Sequence, residues 1–135
     1  MVEGWYEDDY FILFADSEIE DATHRYGVSE ILPGFRLIGL RTWDDMILRD
    51  KTGKTYLMPT VPADIKYLEF FDLPNCANEL EPDERFQRKI KWWVKPIAFG
   101  GKADDSSNET WLSYEQHPEL VKWWNQLYRS INAGR

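Results

Sequence analysis

From Tyr10 to Phe14 the chain runs through aromatic and aliphatic side chains without a polar interruption, the pattern of a strand buried on both faces. The period then changes. Ile19, Ala22, Thr23 and Tyr26 recur at helical spacing, Asp16 or Ser17 offers a capping side chain, and Gly27 supplies a stop. A helix is predicted over 17–27, with Ser17, Glu20, Asp21 and His24 on the side away from Ile19 and therefore toward solvent.

Pro33-Gly34 is a turn, and Phe35 to Leu40 reads as a strand with Arg36 out of step with Phe35 and Leu37. Met46 to Arg49 and Thr55 to Met58 are two strands joined by Asp50-Lys51-Thr52-Gly53-Lys54, a hairpin loop in which Gly53 can take positive φ. Ile65, Leu68, Glu69 and Phe71 allow a short helix after Pro62, and residues 72–84 read as a surface connection. Ile90, Trp92 and Val94 alternate as in a strand with lysines on its solvent side, and Pro96 puts it at a sheet edge or at its own end. Residues 100–109, GGKADDSSNE, read as the most flexible loop. Last comes the clearest helix, with Leu120, Val121, Trp124, Leu127, Tyr128 and Ile131 in one apolar stripe. Ser113 with Gln116 has the form of a capping box, yet Pro118 cannot sit deep in a helix. A short turn over 113–116 and a main helix over 118–132 are expected. Together these elements predict an α+β fold: a mostly antiparallel, twisted sheet of about five or six strands with helices packed on one side.

The stretch YGVSEILPGFRLIGLRTWDDMILRDKTGKTYLMPT, from Tyr26 to Thr60, carries a family likeness. An aromatic strand, an amphipathic helix, a "Y-x-V/I-x-E-x-L-P-G-F" junction, a strand ending "IG" and a hairpin with an aspartate-glycine turn follow in order over residues 9–71. This resembles the SUKH superfamily, named for relatives of yeast cell-wall-synthesis regulators and common among bacterial toxin-immunity proteins. The agreement is closest at Tyr26, Glu30, Leu32, Pro33, Gly34, Phe35, Ile38 and Gly39. The chain departs from the pattern after "IG", where Leu40, Arg41, Thr42, Trp43 and Asp44 replace the usual glycine run, and it lacks the usual helical lead-in. The resemblance implies a single domain over 1–135, with the core likeness in 9–71 and a C-terminal strand and helix in 85–132. It implies a non-catalytic bacterial immunity protein that binds a cognate toxin domain, often a nuclease, and blocks it. An intracellular regulatory or scaffold module, and a small enzyme built on unrecognised carboxylates, are the alternatives.

Charge adds a partner to that expectation. The formal net charge is −8, and residues 1–30 supply all of it, with nine carboxylates against Arg25 alone. Such a field repels nucleic acid and anionic membrane and speeds encounter with a basic protein, although an acidic face also simply keeps a protein soluble. Glu18, Glu20 and Asp21 are the steering candidates, and Trp43 or Trp5 the exposed aromatic anchors. Aromatic residues are 16% of the chain, enough to stabilise one small core. A single cysteine, Cys76, excludes an internal disulfide and fits a reducing cytoplasm. The acidic start is no secretory signal, and no apolar run is long enough for a membrane span.

Other chemistry finds little support. His24, His117 and Cys76 have no metal-ligand spacing, and no nucleophile elbow is present. Asp44-Asp45 reads either as a turn entering the hairpin or, with Trp43, as part of a partner surface; no calcium-loop spacing surrounds it. FGGKADDSS fails as a phosphate loop because Ala103 follows Lys102. RKIKWWVK could track single-stranded nucleic acid, but the alternation suits a sheet strand better and no nucleic-acid partner is expected. Trp123-Trp124 reads as core plus flank. No catalytic residue, cofactor or metal is expected.

Overall fold

The computed structural model describes residues 1–133. Strands β1 (Val2–Tyr6), β2 (Asp9–Leu13), β3 (Arg36–Arg41), β4 (Asp45–Arg49), β5 (Thr55–Pro59) and β6 (Glu69–Phe70) form one antiparallel sheet in chain order. Helices α1 (Asp16–Arg25) and α2 (Val28–Ile31) lie between β2 and β3. A second, two-stranded sheet pairs β7 (Ile90–Trp93) with β8 (Glu109–Leu112), and α3 (Gln116–Ala133) follows it. The α+β architecture is the one expected.

Strand alternation divides the main sheet into two faces. Tyr10, Ile12, Met46, Leu48 and Met58 face α1, α2, α3 and the second sheet, meeting Ala22, Tyr26, Val28, Trp92 and Val121. Phe11, Ile47 and Leu57 point the other way, where the coil carrying Phe71, Leu73, Cys76 and Leu80 covers them. The helices thus pack on the first side, with Ile19 of α1 reaching the other, and the connection read over 72–84 is the lid of that second side.

A bulge in β3 keeps this division consistent. Leu37 and Leu40 lie three positions apart and would face opposite sides of a regular strand. The register with β4 shifts between Leu37 and Gly39, so both enter the helix-side core while Ile38 enters the other. Gly39 is required there for a second reason: a Cβ at this position would collide with the backbone carbonyl of Ile12.

Local chemistry decides the helix ends. The N-cap of α1 is Ala15 rather than Asp16 or Ser17, and the Glu18 carboxylate reaches back to accept from the Ala15 N–H at 2.7 Å. Inside α1 the Thr23 hydroxyl donates to the Ile19 carbonyl (2.7 Å) and accepts from the Leu37 N–H (2.9 Å), which fastens helix to strand. The Ser113–Gln116 capping box forms in both directions, at 3.1 and 3.2 Å. The helix therefore starts at Gln116, with Pro118 in its first turn where a missing N–H costs nothing.

Three expectations change. Strand β1, within the acidic start, was not foreseen. The helix expected after Pro62 is one 3₁₀ turn, Ile65–Tyr67, followed by β6. Strand β7 forms as read, an edge strand that pairs only with β8 in a second sheet, with Pro96 beyond its end. The 100–109 segment is tied down by Asn108, which is buried: its Oδ1 accepts from the Lys95 N–H (2.8 Å) and its Nδ2 donates to the Lys95 carbonyl (2.9 Å).

Gly39→Ala is expected to destabilise the protein by about 1–3 kcal/mol, because backbone rather than a mobile side chain must yield. A lowered urea midpoint with an unchanged slope is the readout.

Candidate protein-binding surface

The residues singled out by sequence fall at opposite ends of β3. Thr23 of α1 bonds to Leu37 at its start, whereas Thr42, Trp43 and Asp44 form the turn at its finish. Glu18, Glu20 and Asp21 therefore do not share a site with Trp43, Asp44 and Asp45.

On α1 the open side is the one the helical wheel gives: Asp16, Ser17, Glu20, Asp21 and His24 are exposed. Glu18 is a correction, since its carboxylate caps the helix and lies 3.0 Å from the Met1 amine. The same contacts hold its pKa below the usual carboxylate range, first through the Ala15 N–H. Other acids of the first thirty residues are engaged within the fold, although Glu7 and Asp8 stay exposed in the turn between β1 and β2. Glu3 accepts from the hydroxyls of Tyr10 (3.1 Å) and Tyr114 (2.8 Å) and from the Arg88 N–H (2.9 Å). Asp9 accepts from the Thr42 hydroxyl at 3.1 Å. Glu30 lies 3.9 Å from Lys122 and 3.8 Å from Arg129 on α3. The acidic patch is thus smaller than the sequence count suggests. It borders a polar pocket of about 390 Å³ in which Glu20 and His24 meet Arg36 and Lys51. One sign of those bases was legible in the sequence, Arg36 standing out of phase at the start of its strand.

Trp43 is a second correction. Only 6% of it is exposed, and it stacks on Tyr10 with ring centroids 5.0 Å apart. Trp5, Phe86 and Trp111 meet the same ring edge to face at 6.4, 5.2 and 5.4 Å. Thr42 and Trp43 have φ of 44° and 62°, and this left-handed pair turns the indole inward. Trp5 is half-buried against the same cluster and donates its indole N–H to Asp83 at 3.0 Å, so neither tryptophan is a free anchor. Asp45 is held by Arg41 at 2.8 Å. Asp44 stays exposed in the turn, where its carbonyl accepts from the Thr60 N–H at 2.8 Å. Its carboxyl lines a small cleft with Trp93 and Ile97. Desolvation first, and Asp45 second, push that carboxyl up to about 6, while Trp93 and Lys91 oppose the shift.

The histidines do not converge. His24 is on the surface, whereas His117 has no exposed area. The Tyr26 hydroxyl and His117 Nδ1 share a buried hydrogen bond of 2.7 Å, and His117 Nε2 has no partner among the described residues. The Trp92 ring stands 5.0 Å away at 84°. Burial lowers the His117 pKa to about 3. Among the described residues no group of three His, Cys, Asp or Glu is placed to hold a metal, and no helix is long and apolar enough to cross a membrane.

Sequence reasoning also missed a groove of about 710 Å³ between α3 and the second sheet, lined by both tryptophan doublets. The doublets themselves were the signal. Adjacent residues point to opposite sides of a strand and about 100° apart on a helix, so two neighbouring indoles do not enter one core together.

No protein-family model, curated protein or solved structure matches this chain.

Two outcomes are expected. Trp43→Ala should cost about 3–5 kcal/mol of stability in chemical unfolding, as a core truncation rather than a surface change. The second concerns pH. Unfolded, His117 takes a proton near its ordinary 6.5, whereas the fold refuses it until about 3, so stability is lost as pH falls through that window. Asp44 runs the other way: it ionises near 3.8 when unfolded and about 6 when folded, so stability is lost as pH rises between them. Urea midpoints between about pH 5 and 6 should therefore vary little in the native sequence. They should climb with pH in Asp44→Asn and fall with pH in His117→Gln.

Proposed function

We propose that this chain is a non-catalytic protein-binding domain that occupies a basic partner through the open face of α1. The partner class that fits best is a cytoplasmic toxin domain, such as a nuclease, bound and occluded in the manner of the immunity proteins the sequence resembles. The observation that carries this reading is the exposure of Asp16, Ser17, Glu20 and Asp21 on one side of a helix whose other side is fixed to the sheet. A rigid acidic ridge suits a basic groove because little conformational freedom is lost on docking. Phosphate-binding sites are basic by necessity, and an acidic surface competes for them directly. Arg36 and Lys51 at the border of the ridge restrict the match, since a uniformly basic surface would meet repulsion there.

The test is affinity capture on the wild-type chain from its native cell, then kinetics with the captured protein. A basic partner whose association slows about tenfold or more at low salt in Glu20→Lys/Asp21→Lys, with a flatter salt dependence, supports the proposal. An unchanged association rate at low salt removes α1 from the interface.

A further inference from the structure

The groove between α3 and the second sheet is mostly apolar. Trp92 and Trp93 of β7, only 3% and 7% exposed, line it with Trp123 and Trp124 of α3 and neighbouring aliphatic side chains, and Gln116 and Glu119 lie at its polar margin. Trp123 is 54% exposed, a large apolar area to leave uncovered on a small domain. Trp123 and Trp124 stand at 87° with centroids 4.9 Å apart, making an aromatic corner. Glu119 is the one charged side chain in the lining, and no base opposes it there. Its size and its mix of apolar wall and few polar groups are those of a small-molecule site.

Charge complementarity selects the occupant. Indole faces are electron-rich and attract cations, and a nearby carboxylate adds to that attraction. The same arrangement already occurs beside the groove: Lys91 Nζ lies 4.8 Å from the centre of the Trp93 ring and 3.0 Å from the Glu109 carboxylate. A primary ammonium entering the groove would need acceptors for its three N–H groups, and the lining offers few. A quaternary ammonium has no N–H donors to satisfy and gives up weaker hydration, while its methyl groups pack against the rings. We propose that this groove binds a small soluble quaternary-ammonium compound, with the cationic head against Trp123 and Trp124 and balanced by Glu119. This site lies away from the acidic face of α1 and does not depend on the function proposed for that face.

Titration of the whole chain with choline, followed by tryptophan fluorescence, tests the assignment. The control ligand is choline's neutral isostere, in which a quaternary carbon replaces the nitrogen. Saturable quenching by choline is expected, with the isostere about tenfold weaker or more. Glu119→Gln should weaken choline several-fold and leave the isostere unchanged, and Trp123→Ala should abolish the choline response. Far-UV circular dichroism checks that both variants fold, and if Trp123→Ala does not, Glu119→Gln and the isostere comparison still decide. Equal binding of choline and isostere, or quenching without saturation, overturns the proposal. Binding of phosphocholine vesicles without binding of free choline also overturns it, since the groove would then belong to a membrane surface.

Discussion

The inward rotation of Trp43 is the contact on which the assembly of the two sheets rests. Its ring touches Tyr10 of β2, Trp5 of β1, Trp111 of β8 and Phe86 of the connection between the sheets. The costs are visible: a left-handed backbone at Thr42 and Trp43, and an indole N–H with no acceptor among the described residues. Left-handed backbone costs about 1–3 kcal/mol per residue, and a buried donor without a partner about 1–3 kcal/mol. Burying an indole of about 150–250 Å² returns about 4–6 kcal/mol, and each aromatic pair adds about 0.5–1.5 kcal/mol. The packing of four rings around one is therefore enough to hold the turn in its unfavourable conformation. Once it is held, β8 is positioned, and β7 and α3 with it.

Acidic side chains do more structural work than their abundance near the start of the chain suggests. Glu3 joins the hairpin of β1 and β2 to Arg88 and to Tyr114, both distant in sequence. Burial and the neighbouring Glu3 carboxylate raise the pKa of both tyrosines, so each remains a hydrogen-bond donor throughout the working pH range. Asp83, beyond the acidic region, makes the same kind of junction with Trp5 and Arg85, and their hydrogen bonds hold its carboxyl well below the usual range. A carboxylate already satisfied inside the fold contributes less to a field felt by a partner than its formal charge implies. Near the start of the chain, the acidic side chains left open are those on the outer side of α1 and Glu7 and Asp8 in the turn between β1 and β2.

What was legible in the sequence is what short-range chemistry decides. The hairpin of β4 and β5 follows from alternation plus the Asp50 loop. There Asp50 accepts from the Thr52 hydroxyl and N–H, and Gly53 takes φ of 93°. α1 and α3 follow from apolar periodicity, and the Ser113–Gln116 cap follows from residue identity. Strands β1, β6 and β8 were not legible, because their stability is supplied by partners elsewhere: β1 by β2 and by Glu81, β6 by Tyr56 and Leu57. Trp43 was misplaced because a positive φ reverses the direction a turn residue is read to take. The groove was missed because it is composite, needing both tryptophan doublets and the packing of α3 beside the second sheet.

The open face of α1 and the tryptophan groove lie on different sides of α3. At 3.6 residues per turn, Gln116, Leu120 and Trp123 share one side of that helix, while Pro118, Lys122 and Arg129 lie roughly opposite, toward α1 and α2. The contacts between α3 and the first helices are unequal. The Glu30 pairs are long and partly exposed, and such pairs contribute about 0–1 kcal/mol each. The Tyr26–His117 hydrogen bond is buried and short, and His117 also packs on Trp92 in the groove wall. A ligand among the tryptophans could influence the α1 face only by displacing this tightly packed triad. Interiors packed at this density have few alternative arrangements, and coupling between sites requires an element with two. Tyr26, His117 and Trp92 therefore join the two surfaces as one rigid body and give occupancy of one little means of altering affinity at the other.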